Sequence, residues 1–146
     1  MVGEPLLVMF VEDNLDHAEL VVRNLSDHRV ANRIVHISDG QSALDYLFRR
    51  GLYADPEVSP RPHLILLDLR LPRVDGLEVL KIIKESETVQ TIPVVVLTSS
   101  EAERDVARAY AHHANSYLVK PVGFDEFHRL MQDLGFYWLA WNKRPW

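Results

Sequence analysis

The chain has 146 residues, a hydrophobic fraction of 47%, a formal net charge of -5 and no cysteine. The length allows one domain with a substantial core, and the negative charge disfavours nucleic-acid binding, which usually needs a basic surface. The lack of cysteine excludes a disulfide framework, a thiolate metal site and a cysteine nucleophile. We find no apolar run that approaches the ~18 residues of a membrane span and no signal-peptide pattern, so we expect a cytoplasmic protein without a membrane segment.

Short apolar runs alternate with segments of helical periodicity along the whole chain. The apolar runs predict five strands, at residues 6–11, 33–37, 64–68, 92–98 and 116–119. A segment with helical spacing follows each run, and the last of these starts near Phe124. This alternation is typical of a doubly wound parallel sheet with helices on both faces. We therefore expect an α/β fold of the flavodoxin-like type, with five strands in the order 2-1-3-4-5 and five helices.

Several of the intervening segments have more specific signals. Asn14 or Asp16 is a suitable N-cap for the first helix. The segment 51–62 contains three prolines and predicts a long surface loop. The third helix is predicted to begin near Asp75-Gly76 and to bury Leu77, Val79, Leu80 and Ile83. The fourth is predicted to have a thin apolar face formed by Val106, Ala107, Ala109, Tyr110 and Ala111.

Four of the predicted strands end in, or are followed directly by, polar or charged residues that could take part in binding or catalysis. Glu12 and Asp13 follow the first strand, Asp68 ends the third, Thr98 ends the fourth and Lys120 follows the fifth. The carboxyl ends of parallel strands meet at one edge of the sheet, so we expect these side chains to converge at the switch point between the first and third strands. Carboxylates that converge repel one another and need a cation. Oxygen donors without cysteine or clustered histidine suit Mg²⁺.

The same residues predict phosphoryl chemistry. Lys120 supplies a point positive charge suited to a phosphoryl group, and Thr98 supplies a hydroxyl donor. A carboxylate beside a divalent metal, a lysine and a hydroxyl is suited to forming an aspartyl phosphate. Taken singly, each residue has an ordinary explanation as a cap, a strand residue or a surface lysine. Their occurrence at four strand ends favours the functional interpretation.

With these residues in place, the chain resembles the receiver domains of two-component response regulators over nearly its whole length. The resemblance implies that Asp68 accepts a phosphoryl group from a sensor histidine kinase. It implies that Glu12 and Asp13 are the acidic pair that holds Mg²⁺ or Mn²⁺, although many receivers have Asp where this chain has Glu12. It also implies that Asp68 and the backbone carbonyl of Arg70 complete the metal site. The Arg70 side chain either shields the acyl phosphate from water or contacts a partner.

Further roles follow from the same resemblance. Thr98 corresponds to the switch hydroxyl and Lys120 to the lysine of the phosphoryl site. The peptide bond between Lys120 and Pro121 is expected to be cis. Tyr117 corresponds to the aromatic residue that turns inward on activation; the alternative is an aromatic ring that covers apolar surface.

Within that family, the chain is similar to the small stand-alone regulators paired with bacterial and cyanobacterial phytochromes. The similarity rests on the opening VEDN, the long loop 51–62, the sequence DLRLP at 68–72, the sequence ANSY at 114–117 and the aromatic tail FYW at 136–138. A phytochrome-like histidine kinase is therefore the expected partner.

We interpret residues 1–146 as a single receiver domain with an aromatic helical extension at about 136–146 and no output domain. Such a protein would act by contact: it would accept the phosphoryl group, change a surface, and bind a downstream protein or pass the group to a phosphotransfer protein. It would be a switch with weak phosphotransfer and self-dephosphorylation, and not a metabolic enzyme. We predict a homodimer through Phe136, Tyr137, Leu139 and Trp141. At helical spacing Phe136 falls opposite the stripe that faces the sheet and Leu139 lies well away from it, so a monomer would leave aromatic rings in water. The alternative is that the tail bends at Gly135 and folds back over the core.

Three other classes remain to be compared with this interpretation. A phosphohydrolase of the haloacid-dehalogenase type needs a second acid two residues after the nucleophile, where this chain has Arg70. A flavodoxin-like nucleotide-binding domain needs a loop rich in Gly, Ser or Thr after the first strand, where this chain has Glu12-Asp13-Asn14. A histidine phosphotransfer protein would be a helical bundle, which the α/β alternation does not fit.

Overall fold

A computed structural model describes residues 7–27, 33–98, 103–114, 116–119 and 129 of the chain. The described residues form a parallel sheet with the order β2-β1-β3-β4-β5. The strands are β1 (Leu7–Val11), β2 (Arg33–Ile37), β3 (Leu64–Asp68), β4 (Val94–Thr98) and β5 (Ser116–Val119). The helices are α1 (Leu15–Asp27), α2 (Gly40–Leu47), α3 (Gly76–Glu85) and α4 (Glu103–Ala111), with a short 3₁₀ helix at Gly51–Tyr53. The predicted fold class and strand order are confirmed.

Two neighbouring interior strands of the sheet, β1 and β3, are buried along their full length. Alternate residues of the sheet, among them Met9, Val11, Ile65 and Leu67, join residues of α2 and α3 in one hydrophobic cluster. The residues between them, such as Phe10 and Leu66, are also fully buried. Both faces of the sheet are therefore covered, as expected for parallel strands.

The helices agree with the sequence pattern to different degrees. α3 begins at Gly76 and buries Leu77, Val79, Leu80 and Ile83, as predicted. The side chain of Asn14 accepts a hydrogen bond from the N–H of His17 at 3.0 Å, which identifies Asn14 as the N-cap of α1. Of the fifth predicted helix, the structure describes Arg129, which is helical.

The predicted apolar face of α4 is wrong in three of its positions. Ala109 is buried, but Ala107 and Ala111 are exposed and Tyr110 is 47% exposed. A helix rich in alanine has little apolar area to bury on any face, so helical spacing alone does not select the side that meets the core.

The predicted loop at 51–62 is mostly exposed, but hydrogen bonds connect it to α2. Ser59 is fully buried and donates its hydroxyl to the carbonyl of Tyr53 at 2.9 Å. The hydroxyl of Tyr46, on α2, donates to the carbonyl of Pro60 at 2.7 Å, and the Arg61 guanidinium donates to the carbonyl of Leu47. Burial raises the pKa of the Tyr46 hydroxyl, which keeps it protonated as the donor. In the part of the chain that is described, no helix is long and apolar enough to cross a membrane.

Gly76 places the start of α3 against the end of β3. The N–H of Gly76 donates to the carbonyl of Leu69 at 3.0 Å. A Cβ atom added at Gly76 would lie 2.1 Å from the backbone carbonyl oxygen of Asp68. Glycine is thus required here by the close approach of two backbone segments, and this approach fixes the path of the chain just after Asp68.

Replacement of Gly76 by alanine should therefore destabilise the protein by about 3 kcal/mol, because backbone atoms have to move to admit the methyl group. Gly51→Ala is a matched control: Gly51 has φ +57 and nothing within 4 Å of its added Cβ, so its cost is the backbone strain alone, about 1 kcal/mol. Urea denaturation of the two variants provides the comparison. Equal stability of the two variants would contradict the close approach at Asp68.

Candidate functional site

Three acidic residues meet at the carboxyl ends of the neighbouring strands β1 and β3. β1 and β3 pair in parallel with Val11 opposite Leu67. The next residue of each chain segment, Glu12 and Asp68, therefore lies at the same edge of the sheet, and Asp13 follows on the loop into α1. One carboxylate oxygen from each of Glu12, Asp13 and Asp68 lies within 4.8 Å of the other two. The structure thus brings together the three acids that the sequence singled out.

The burial of this acidic cluster makes a cation favourable. Glu12 is fully buried and Asp68 is 5% exposed, whereas Asp13 is exposed. Ionised carboxylates are costly to bury and repel one another at this separation unless opposite charge lies nearby. All three donors are oxygens, which are the ligands that hard divalent cations such as Mg²⁺ and Mn²⁺ prefer. The residues present therefore fit a divalent metal ion.

The N-terminus of α1 holds the carboxylate of Glu12. The N–H of Asn14 donates to Oε2 of Glu12 at 3.3 Å, and Nδ1 of His17 lies 3.8 Å from Oε1. Asn14 also caps α1, so that one turn of chain both starts the helix and contacts the buried acid. The positive end of the helix dipole lies next to the acids and favours their charged form.

The turn that follows β3 holds Asp68. The N–H of Arg70 donates to Oδ1 of Asp68 at 3.0 Å, an interaction within the turn that fixes the orientation of the carboxylate. The N–H of Leu69 donates to the carbonyl of Leu97 on β4 at 3.3 Å. The close approach of Gly76 to the Asp68 carbonyl fixes the backbone of Asp68, and the hydrogen bond from Arg70 fixes its side chain.

The other predicted site residues are described to a lesser extent. Thr98 is the last residue of β4 and pairs with Val119, and Tyr117 pairs with Val96. Lys120 and Pro121, and with them the predicted cis peptide bond, lie outside the described residues. So do Phe136, Tyr137, Leu139 and Trp141 of the predicted dimer contact. The roles of all these residues stay predictions.

Two histidines at the site were not predicted from the sequence. His17 lies beside the carboxylate of Glu12, and Nε2 of His36, on β2, lies 2.7 Å from the backbone carbonyl oxygen of Glu12. The position of His17 three residues after the Asn14 cap was a usable signal, because N-cap and N3 residues are neighbours. The position of His36 depends on the register between β1 and β2, which a single sequence does not reveal.

Comparison with known proteins agrees with this geometry. The family model of the response regulator receiver domain matches residues 8–132. The probable methanogenesis regulatory protein FilR2 of Methanothrix harundinacea is 46% identical over 142 residues, which are 97% of this chain and 89% of the relative. The response regulator Rcp1 of Synechocystis is 39% identical over 141 residues, which are 97% of this chain and 94% of the relative.

Solved structures show the same fold. The bacteriophytochrome response regulator AtBRR has a TM-score of 0.81 and 43% sequence identity, with 97% of this chain and all of that chain covered. The Mn²⁺-bound form of Rcp1 has a TM-score of 0.79 and 38% identity, with 97% of this chain and all of that chain covered.

The exposed member of the cluster offers a direct test of metal binding. Asp13→Ala should weaken Mg²⁺ binding by about tenfold or more, because it removes one of three carboxylates from a site for a hard cation. Asp16→Ala is the matched control, since Asp16 is also an exposed acid and lies in the first turn of α1. Isothermal titration calorimetry measures both. If the two variants lost affinity equally, the effect would be general charge and not ligation.

Proposed function

The chain belongs to the response regulator receiver domain family, and we propose that it works as a phosphorylation switch with Asp68 as the phosphoryl acceptor. The observation that carries the proposal is the position of Asp68, at the end of β3 and within 4.8 Å of Glu12 and Asp13. The donor is the phosphorylated histidine of a sensor histidine kinase. As a receiver domain, the chain is a phosphoacceptor switch and not a metabolic enzyme.

The transfer reaction requires little of the protein beyond position and charge. A carboxylate oxygen of Asp68 attacks phosphorus, the bond from phosphorus to the donor nitrogen breaks, and that nitrogen keeps the electron pair and takes up a proton. The product is an acyl phosphate on Asp68, which water later hydrolyses. The N–H of Arg70 holds Oδ1 of Asp68 and so orients the nucleophile. A bound Mg²⁺ or Mn²⁺ supplies positive charge that offsets the carboxylates and the phosphoryl oxygens.

The register of the sheet supports the roles proposed for Thr98 and Lys120. Asp68 pairs with Leu97, so Thr98 is one residue beyond the partner of the acceptor. Thr98 pairs with Val119, which Lys120 follows directly. We assign Lys120 the counter-charge to the phosphoryl group, and Thr98 the hydroxyl that senses it. Tyr117 lies on β5 two residues before Val119, which pairs with Thr98. We assign Tyr117 the aromatic part of the switch.

The phosphohydrolase alternative has no support. The matching family is the receiver domain, and the position two residues after Asp68, where a general acid would be needed, is Arg70. Slow phosphotransfer and self-dephosphorylation are the only catalytic chemistry in the proposal.

The partner that we propose is a phytochrome-like sensor histidine kinase. The relatives described as phytochrome response regulators, AtBRR among them, are similar over 97% of this chain. FilR2, in contrast, carries a name that refers to methanogenesis, so the input signal has to be established with the kinases of the source organism. A cytoplasmic location is part of the same proposal.

Phosphorylation of Asp68 is testable with a small donor. Incubation with acetyl phosphate and Mg²⁺ should produce a phosphoprotein, and Asp68→Asn should abolish it, because the amide lacks the nucleophilic carboxylate oxygen. Asp75→Asn is the matched control, since Asp75 is an exposed aspartate of the same loop whose side chain makes no capping hydrogen bond. Intact-protein mass spectrometry detects the product. Labelling of Asp68→Asn would refute the assignment of Asp68 as the acceptor, and labelling of the natural sequence in EDTA would refute the requirement for a divalent metal.

Self-association through the C-terminal segment is a further part of the proposal. At about 100° per residue, Phe127, Met131, Leu134 and Trp138 would share one helical face toward the sheet, and Phe136 would lie opposite. An apolar surface of this kind usually marks an interface, and a two-fold dimer is the most common arrangement.

Removal of residues 136–146 should therefore convert a dimer into a monomer that still accepts a phosphoryl group on Asp68. Light scattering at micromolar concentration measures the mass of both proteins, with and without beryllofluoride as a mimic of the phosphoryl group. A monomer mass for the complete chain under both conditions would rule the dimer out.

A further inference from the structure

His36 contacts the acidic cluster but has no role in the chemistry proposed above. It is the fourth residue of β2, is half-buried, and pairs with Phe10 of β1 in the register of the sheet. Its Nε2 atom lies 2.7 Å from the backbone carbonyl oxygen of Glu12. A carbonyl oxygen accepts hydrogen bonds and does not donate them, so Nε2 carries the proton and is the donor.

This hydrogen bond acts on the peptide group that joins two of the acids. The carbonyl of Glu12 and the N–H of Asp13 belong to one planar unit, so a donor that holds the carbonyl oxygen also fixes the position of the Asp13 backbone. On the other side of the residue, the N–H of Glu12 donates to the carbonyl of Ile37 at 2.9 Å. Both backbone groups of Glu12 are thus bonded to the β2 segment, one through Ile37 and one through the His36 side chain.

We propose that His36 is a positioning residue for the metal site: its hydrogen bond to the Glu12 carbonyl fixes the peptide plane that determines where the Asp13 carboxylate stands. The inference rests on the proposed function, because it assumes that Glu12, Asp13 and Asp68 hold a divalent cation. Asp13 depends most on such a constraint. It is exposed and lies between a strand and a helix, whereas Glu12 and Asp68 are buried and have hydrogen-bonded carboxylates.

A purely structural role for His36 uses a different part of the same side chain. The imidazole ring lies 5.8 Å from the ring of Phe10, measured between centroids, with an angle of 35° between the planes. This contact stabilises the sheet whether or not a proton is on Nε2. Substitutions that keep the ring or keep the donor therefore separate the two roles.

The experiment compares His36→Phe with His36→Gln in the complete chain. Phenylalanine keeps a ring against Phe10 and loses the donor, whereas glutamine loses the ring and places an amide N–H donor at about the reach of Nε2. Mg²⁺ affinity is measured by calorimetry, and stability by thermal unfolding without metal. We expect His36→Phe to bind Mg²⁺ about tenfold more weakly, a loss typical of outer-shell partners of a metal site. We expect His36→Gln to stay close to the natural sequence in affinity even where it is less stable.

The outcomes separate this inference from the function on which it rests. If the natural sequence binds Mg²⁺ and His36→Phe binds it equally well, the positioning role is refuted and the metal site stands. If His36→Gln binds Mg²⁺ more weakly than His36→Phe, the aromatic ring and not the donor determines the Mg²⁺ affinity. The role of His36 is then structural, and the inference is also refuted. If the natural sequence does not bind a divalent cation, the metal site and the inference fall together. If His36→Phe does not fold, His36→Leu removes the same donor and takes its place. In either variant, the NMR chemical shift of the Asp13 amide in the metal-free protein reports the orientation of the peptide plane between Glu12 and Asp13.

Discussion

The convergence of three carboxylates at the ends of β1 and β3 is the constraint on which the rest of the site depends. Because Val11 pairs in parallel with Leu67, the next residues, Glu12 and Asp68, lie side by side at the same edge of the sheet. Both of these acids are buried. The protein itself supplies part of the compensation, through the N–H groups of Asn14 and Arg70 and the N-terminus of α1. These groups are dipoles and not full charges, so a cation held by the three acids would supply the compensation that they leave.

The same region shows why a change at Asp68 reaches beyond the site. Two glycines let backbone segments touch: a Cβ atom at Gly76 would lie 2.1 Å from the Asp68 carbonyl oxygen, and one at Gly40 would lie 1.9 Å from the Val74 carbonyl oxygen. The loop after Asp68 is thus packed against the first residues of both α2 and α3. Backbone atoms in contact have no soft side chain between them that absorbs a displacement. A shift of this loop therefore requires a shift of at least one helix start.

The sequence was informative wherever a single segment decides the structure. Apolar runs and helical spacing predicted the bounds of β2, β3 and β5, the start of α3 and its four buried residues. The alternation of strands and helices predicted a doubly wound parallel sheet, but sheets of different strand order share this alternation, so it does not by itself determine the order 2-1-3-4-5. β4 starts at Val94, two residues later than the apolar run, because Pro93 has no N–H to donate and contributes its carbonyl to Ile65 instead. Glu12, Asp13 and Asp68 could be placed at one edge of the sheet because the carboxyl ends of parallel strands lie at the same edge.

Features that depend on contacts between distant segments were not predictable. The burial of Ser59 requires the loop 51–62 to fold back on itself, so that the Ser59 hydroxyl reaches the Tyr53 carbonyl. The contact of this loop with α2 requires the Tyr46 hydroxyl to reach the carbonyl of Pro60. His36 is the clearest case at the site: its neighbours along the chain give β2 an ordinary alternating pattern, and its contact with Glu12 appears only when β1 and β2 are in register. The side of α4 that meets the core was missed because alanine carries too little apolar area to mark a face.

The unequal burial of the three acids bears on how a phosphoryl donor would reach Asp68. Glu12 is sealed from solvent and Asp68 is 5% exposed, whereas Asp13 and Arg70 are both exposed. Among the described residues, Asp13 and Arg70 are exposed neighbours of Asp68, so we expect an anionic donor to pass close to both. The Asp13 carboxylate repels an anionic donor, whereas the guanidinium of Arg70 attracts it, and both effects are screened by solvent because both side chains are exposed. A divalent cation held by Glu12, Asp13 and Asp68 would supply positive charge that offsets this repulsion. The position of the Asp13 carboxylate would then affect both cation binding and the approach of the donor.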